Sequence, residues 1–197
     1  MKKLICVVLA AAGAIALSGE RLVAQNNDGK PGFEYRVLAT SFTSTMEAEL
    51  NRAAEAGFRF QTAMGGETAN GGNEVVAVMI RQTGTRPRVS YKLLGTSKTS
   101  TMEKELQAAA DQGFEYRAHT VFKTAFAGDE VVCILERDAD REPRQVRYRL
   151  LATSKTSTLE KELQQVGAAG FEVLGVTVAK TAFGGKELVA LLRRVER

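Results

Sequence analysis

The sequence predicts an α+β protein built of three tandem βαββ repeats, and three observations carry that reading. A 47-residue segment recurs without gaps, from Tyr35 to Arg81, Tyr91 to Arg137 and Tyr148 to Arg194. Within each copy the apolar spacing changes from a strand period to a helical period and back again. The last segment of each copy is apolar on both faces, which belongs in the middle of a sheet. Each unit therefore reads as a three-stranded antiparallel sheet of order 1-3-2 with one helix. Units this small bury too little surface to stand alone, so the three are expected to pack into one pseudo-threefold body through sheet-to-sheet contact.

The elements follow in order. "YRVLAT", "YKLLGT" and "YRLLAT" are short β-type runs that end where a hydroxyl cluster begins. A helix comes next. In "STMEAEL", "STMEKEL" and "STLEKEL" the serines Ser44, Ser100 and Ser157 stand three residues before Glu47, Glu103 and Glu160, the spacing of a capping box. The apolar stripe follows through Met46 and Leu50, Met102 and Leu106, Leu159 and Leu163. Gly57, Gly113 and Gly170 supply the left-handed residue that ends each helix, and Phe58, Phe114 and Phe171 pack back over its last turn. Two further strands close the unit around a glycine-bearing turn, as in "FEYRAHTVFKTAFAGDEVVCILER". The second strand alternates polar with apolar residues and suits an edge, whereas Val131 to Leu135 of the third is apolar throughout.

Residues 33–82, 89–138 and 146–197 are thus the repeats, joined by charged connectors that contain Pro87 and Pro143. Before them, residues 1–24 read as a secretory signal peptide, with Lys2 and Lys3 ahead of the apolar run Leu4 to Leu17 and cleavage after Ser18 or Ala24. Residues 25–32 read as a flexible mature N-terminus. The address implied is periplasmic or secreted, with no stable membrane span after processing. Removal of residues 1–24 takes away three basic groups and one acidic group, so 27 and 23 become 24 and 22, a net charge of +2. That balance, with no basic stripe, argues against a nucleic-acid partner.

At "LQQVGAAGFEVL" the chain resembles a family of small bacterial βαββ domains of unknown function, marked by a tyrosine-led first strand and a helix ending in Leu-x-x-x-Gly-x-x-Gly-aromatic-Glu. Leu163, Gly167, Gly170, Phe171 and Glu172 match that pattern, whereas the second copy has Ala110 at the first glycine and the first copy has Ala54 and Arg59. The resemblance implies a fold and carries no catalytic residue, cofactor or partner.

Reactive constellations are sparse. His119, the only histidine, falls on the polar face of an edge strand and reads as solvated; Cys133 occupies a position filled by Ala77 and Ala190 and reads as a small buried filler. No metal or cofactor is implied. One constellation follows from topology, because the hydroxyl cluster and the hairpin share an end of each unit. In the second copy this gathers Lys98, Thr99 and Ser100 with Lys123 and Thr124; in the third, Lys155, Thr156 and Ser157 with Lys180 and Thr181. Ammonium groups beside a helix N-terminus attract anions. The first copy has Phe42 and Glu67 at the two lysine positions, so both are lost together. The expected function is a non-enzymatic exported binding or interaction module, with an envelope protein or an anionic or glycan ligand as partner. The alternative is a hydrolase with a Ser/Lys/Glu site between repeats.

Overall fold

The computed structural model describes residues 32–96, 98–124, 128–180 and 185–196. Repeat 1 runs β1 (Phe33–Thr40), α1 (Thr43–Glu55), β2 (Arg59–Thr68) and β3 (Gly72–Gln82). Repeat 2 follows as β4 (Val89–Thr96), α2 (Thr99–Ala110), β5 (Glu115–Thr124) and β6 (Gly128–Asp138). Repeat 3 closes the series with β7 (Val146–Thr153), α3 (Thr156–Ala168), β8 (Glu172–Lys180) and β9 (Lys186–Val195). Each repeat forms one antiparallel sheet in the expected order, β1-β3-β2, β4-β6-β5 and β7-β9-β8. The registers are equivalent: Tyr35, Tyr91 and Tyr148 sit opposite Ile80, Glu136 and Arg193. Every repeat also carries one bulge in its second strand, at Gln61, Arg117 and Leu174.

Every helix ends as the sequence indicates. Gly57, Gly113 and Gly170 adopt φ of 86°, 83° and 82°, a region that costs a side chain strain. The amides of Phe58, Phe114 and Phe171 then return to carbonyls of the last turn, at Ala53, Ala109 and Val166. An arginine guanidinium stacks on each ring, Arg81 on Phe58, Arg137 on Phe114 and Arg194 on Phe171.

The helix starts differ from expectation. The residues before the first turn are Phe42, Lys98 and Lys155, none of which caps its helix through its own side chain, and the first turns hold no acidic residue. Ser44, Ser100 and Ser157 already lie inside the helices, so the capping box does not form. The hydroxyl that does act locally lies one turn earlier: Thr40 and Thr153 accept from the amides of Phe42 and Lys155.

Each sheet has one face against its own helix and one bare face. In repeat 1, Val75, Ala77 and Met79 turn towards Met46, Leu50 and Ala53 of α1. The bare face of the second sheet, through Val132 and Ile134, joins that same core. Part of this contact is sheet on sheet, β2 and β3 on β5, as expected; the rest is α1 lying on β4. A Cβ at Gly65 of β2 would overlap the Val121 carbonyl of β5, so the two strands meet only because that position is bare. The second join repeats the first, with α2 on β7 and the bare face of the third sheet, Val189 and Leu191, in the core of repeat 2.

The joins run in sequence, repeat 1 to 2 and repeat 2 to 3. A closed threefold body would also seat repeat 3 on repeat 1, and none of the three core clusters does so. The third cluster contains repeat 3 alone. Among the described residues of the compact unit Pro31–Arg197 the stack is therefore open at both ends.

Candidate functional site

The inter-repeat joins define which surfaces the chain consumes and which it leaves. A first strand at a sheet edge exposes a row of unpaired amides and carbonyls. In β4 that row is taken up by α1: the Glu47 carboxylate accepts from the Leu93 amide at 2.7 Å, while Asn51 accepts from the Tyr91 amide at 2.8 Å and donates to its carbonyl at 2.9 Å. In β7 the partners are Glu103, accepting from the Leu150 amide at 2.8 Å, and Gln107, donating to the Val146 carbonyl at 3.0 Å. The recurrent glutamate is thus a clasp on the next repeat.

The leading tyrosine answers from the other side. Tyr91 Oη accepts from the Phe60 amide at 2.7 Å, and Tyr148 Oη accepts from the Tyr116 amide at 2.8 Å. Both rings are almost fully covered, at 3% and 5% exposure. Tyr35, the same residue of repeat 1, is 63% exposed.

A charged cluster reinforces the first join. Glu136 is the one buried charged residue among the described residues. Its carboxylate receives Arg59 Nε at 3.0 Å, Arg59 and Arg117 Nη2, and the Tyr91 hydroxyl at 2.9 Å. Burial and the neighbouring Glu136 charge push the Tyr91 hydroxyl well above its ordinary value, so it stays protonated and donates. The cleft beside this cluster holds about 50 Å³, room for little beyond a water. Two guanidinium groups and a tyrosine hydroxyl thus hold the Glu136 carboxylate. At the second join the signs reverse: Arg193 stands where Glu136 stood, and Glu115, held below its ordinary value by the Arg144 guanidinium, stands where Arg59 stood.

Both ends of the stack are apolar. Phe33, Tyr35, Val37 and Met64 are exposed on the bare face of the first sheet, beside half-buried Val76, Val78 and Ile80. At the far end Val173, Val176 and Val178 are each about half exposed along the outer edge of β8. Among the described residues only Phe42 and Val195 are large exposed apolar groups away from these two surfaces. In the sequence Phe33, Tyr35 and Val37 look like core residues, because their counterparts Val89, Tyr91 and Leu93, and Val146, Tyr148 and Leu150, pack in or against the core; the signal that separates them is their place in the first copy.

The residues singled out for chemistry fare differently. Cys133 is buried, and desolvation pushes its thiol up to about 12, which suits a filler. His119 is not solvated as its alternation suggested. Its ring is half-buried in the second join, where a Cβ at Gly175 would collide with it, and Tyr116 Oη lies 2.6 Å from Nδ1. The edge of a sheet ceases to be solvent when the next repeat covers it.

The lysine and hydroxyl cluster is only partly visible. Thr96 pairs with Val131 and Thr124 with Gly128, so the helix start and the hairpin do share an end of repeat 2. Lys98, Ser100, Lys155, Thr156 and Ser157 are exposed. The side chains of Thr99, Lys123, Thr124 and Lys180, and all of Thr181, lie outside the described residues. Two open grooves run along the joins, one containing Lys104 without a serine and the other Ser90 without a lysine. Among the described residues no cluster of His, Cys, Asp and Glu could hold a metal, and no helix is long and apolar enough to cross a membrane.

Comparison with protein-family models, with curated proteins and with solved structures finds no match to this chain.

Proposed function

We propose that this chain is a non-enzymatic, exported protein-interaction module whose working surface is the bare face of its first sheet. The observation that supports it most is Tyr35 with Val37. They occupy positions that the chain covers in both later repeats, yet stand open here beside a free strand edge. A contiguous apolar patch on a soluble surface marks a binding face. A photo-reactive residue at Val37 tests this in cells, with the same residue at Arg52 on exposed helix surface as control. Adducts at position 37 alone are expected; their absence removes the reading. The resemblance to bacterial βαββ domains is proposed on the Leu163 to Glu172 pattern and adds no activity.

An anionic or polyhydroxylated ligand at the helix starts of repeats 2 and 3 is a second reading, supported by the shared end of helix and hairpin. Thermal stabilisation by phosphate-rich or acidic-glycan ligands should vanish when Lys98 and Lys155 are changed to glutamate; no stabilisation of the unaltered chain ends that reading. The hydrolase alternative gains no support from the two grooves, since neither brings lysine and serine together.

A further inference from the structure

The two open ends carry equivalents of the groups that meet at the two internal joins. At each internal join the earlier repeat offers a glutamate, an amide side chain and a strand amide, and the later repeat offers a tyrosine and a bare apolar face. Repeat 3 keeps the hydrogen-bonding groups of the outgoing set: Glu160 and Gln164 in the places of Glu103 and Gln107, and the Val173 amide in the place of Tyr116, while Val178, like Val121 at the second join, stands where the first join has Gly65. Repeat 1 keeps the complete incoming set: the Tyr35 hydroxyl, the outward amides of Tyr35 and Val37, and the apolar face around them. Where Ala54 and Ala110 give the next strand room, α3 has Gly167, with open space over it.

We propose that the occupant of the first sheet's bare face is repeat 3 of a second copy of this chain, giving head-to-tail chains of copies. This rests on the reading that the face is a docking surface, and names its partner. In that contact Glu160 receives the Val37 amide, Gln164 engages Tyr35, the Tyr35 hydroxyl receives the Val173 amide, and Val176 and Val178 are covered. A contact between unlike surfaces does not close as a twofold dimer, so it propagates. It also removes the free edge of β1, which would otherwise pair with any extended chain. Ile80 replaces the charged Glu136 and Arg193 at this join, so no ion pair of that kind locks it. The association is therefore reversible and concentration-dependent, where the internal joins gain from covalent tethering. The reversed charge order of the two internal joins keeps repeat 3 from displacing repeat 1 on repeat 2, because Glu172 would meet Glu136.

Sedimentation velocity on the chain from Gln25 onward, which retains the whole unit Pro31–Arg197, tests the proposal. The unaltered protein should grow beyond one chain as concentration rises. Val37→Arg and Val176→Arg, each blocking one end, should sediment as single chains. Mixed together they should form a complex of two chains and stop there, since each supplies the end the other lacks. Gly167→Leu, on exposed helix surface, should block the outgoing end without touching the core. A wild type that stays single at every concentration overturns the proposal, as does a mixture that forms nothing or a blocked variant that still grows. If the purified chain is single while the photo-reactive Val37 captures another protein in cells, the copy is the wrong partner and the docking face stands. If both fail, both readings fall.

Discussion

At the scale of single residues, Tyr91 and Glu136 show how a join is made specific. Replacing Tyr91 with phenylalanine leaves the Phe60 amide without its acceptor and removes one donor from a buried carboxylate. A loss of about 1–3 kcal/mol is expected in denaturant unfolding, whereas Tyr35→Phe should change stability by less than about 0.5 kcal/mol. Equal effects of the two changes would mean that the tyrosine acts only inside its own repeat. His119 supplies a pH test of the second join. Burial holds its imidazole below the ordinary value, with a hydrogen bond to the Val176 backbone opposing, so the unfolded chain takes up a proton more readily than the folded one. Stability from this group is intact above about pH 6.5 and is lost as pH falls below that. His119→Gln should flatten this part of the acid profile relative to wild type; parallel profiles would contradict the assignment. The tyrosines and glutamates were legible in the sequence as repeating positions. Their role was not, because a glutamate three residues after a serine fits a local cap as well as a clasp 46 residues away.

At the scale of elements, the helix is the part that two sheets share. One side of α2 faces its own sheet through Met102, Leu106 and Ala109, and the next side faces β7 through Glu103, Gln107 and Ala110. Ala110→Leu should force β7 off the helix and cost about 1–3 kcal/mol, as overpacking does. Gly167→Leu, the same change at the equivalent position of α3, should be neutral or stabilising in the dilute chain, since leucine favours helix and nothing lies above it. Thermal unfolding of the pair checks this, and comparable losses would show that α3 is covered. The order of strands was readable before any coordinates, because Val131 to Leu135 cannot be apolar on both faces at an edge. The cover for the second face was not: the apolar pattern says that a face is buried, and it leaves open whether a sheet or a helix of another repeat buries it.

At the scale of the whole molecule, three copies of one unit produce two joins and two unsatisfied ends, as any open stack must. Solenoids end in capping units with polar outer faces; here the first sheet keeps Phe33, Tyr35 and Val37, and the last repeat keeps Val173, Val176 and Val178. The sequence hides this because self-similarity is symmetric along the series, while solvent exposure depends on position within it. Amide hydrogen exchange on dilute protein reads the central claim at single strands. The outward amides of Leu93 and Leu150, clasped by Glu47 and Glu103, should exchange slowly, whereas the equivalent amide of Val37 should exchange fast. Leu93 and Leu150 exchanging as freely as Val37 would contradict the account, because the helix of one repeat would then not be closing the strand edge of the next.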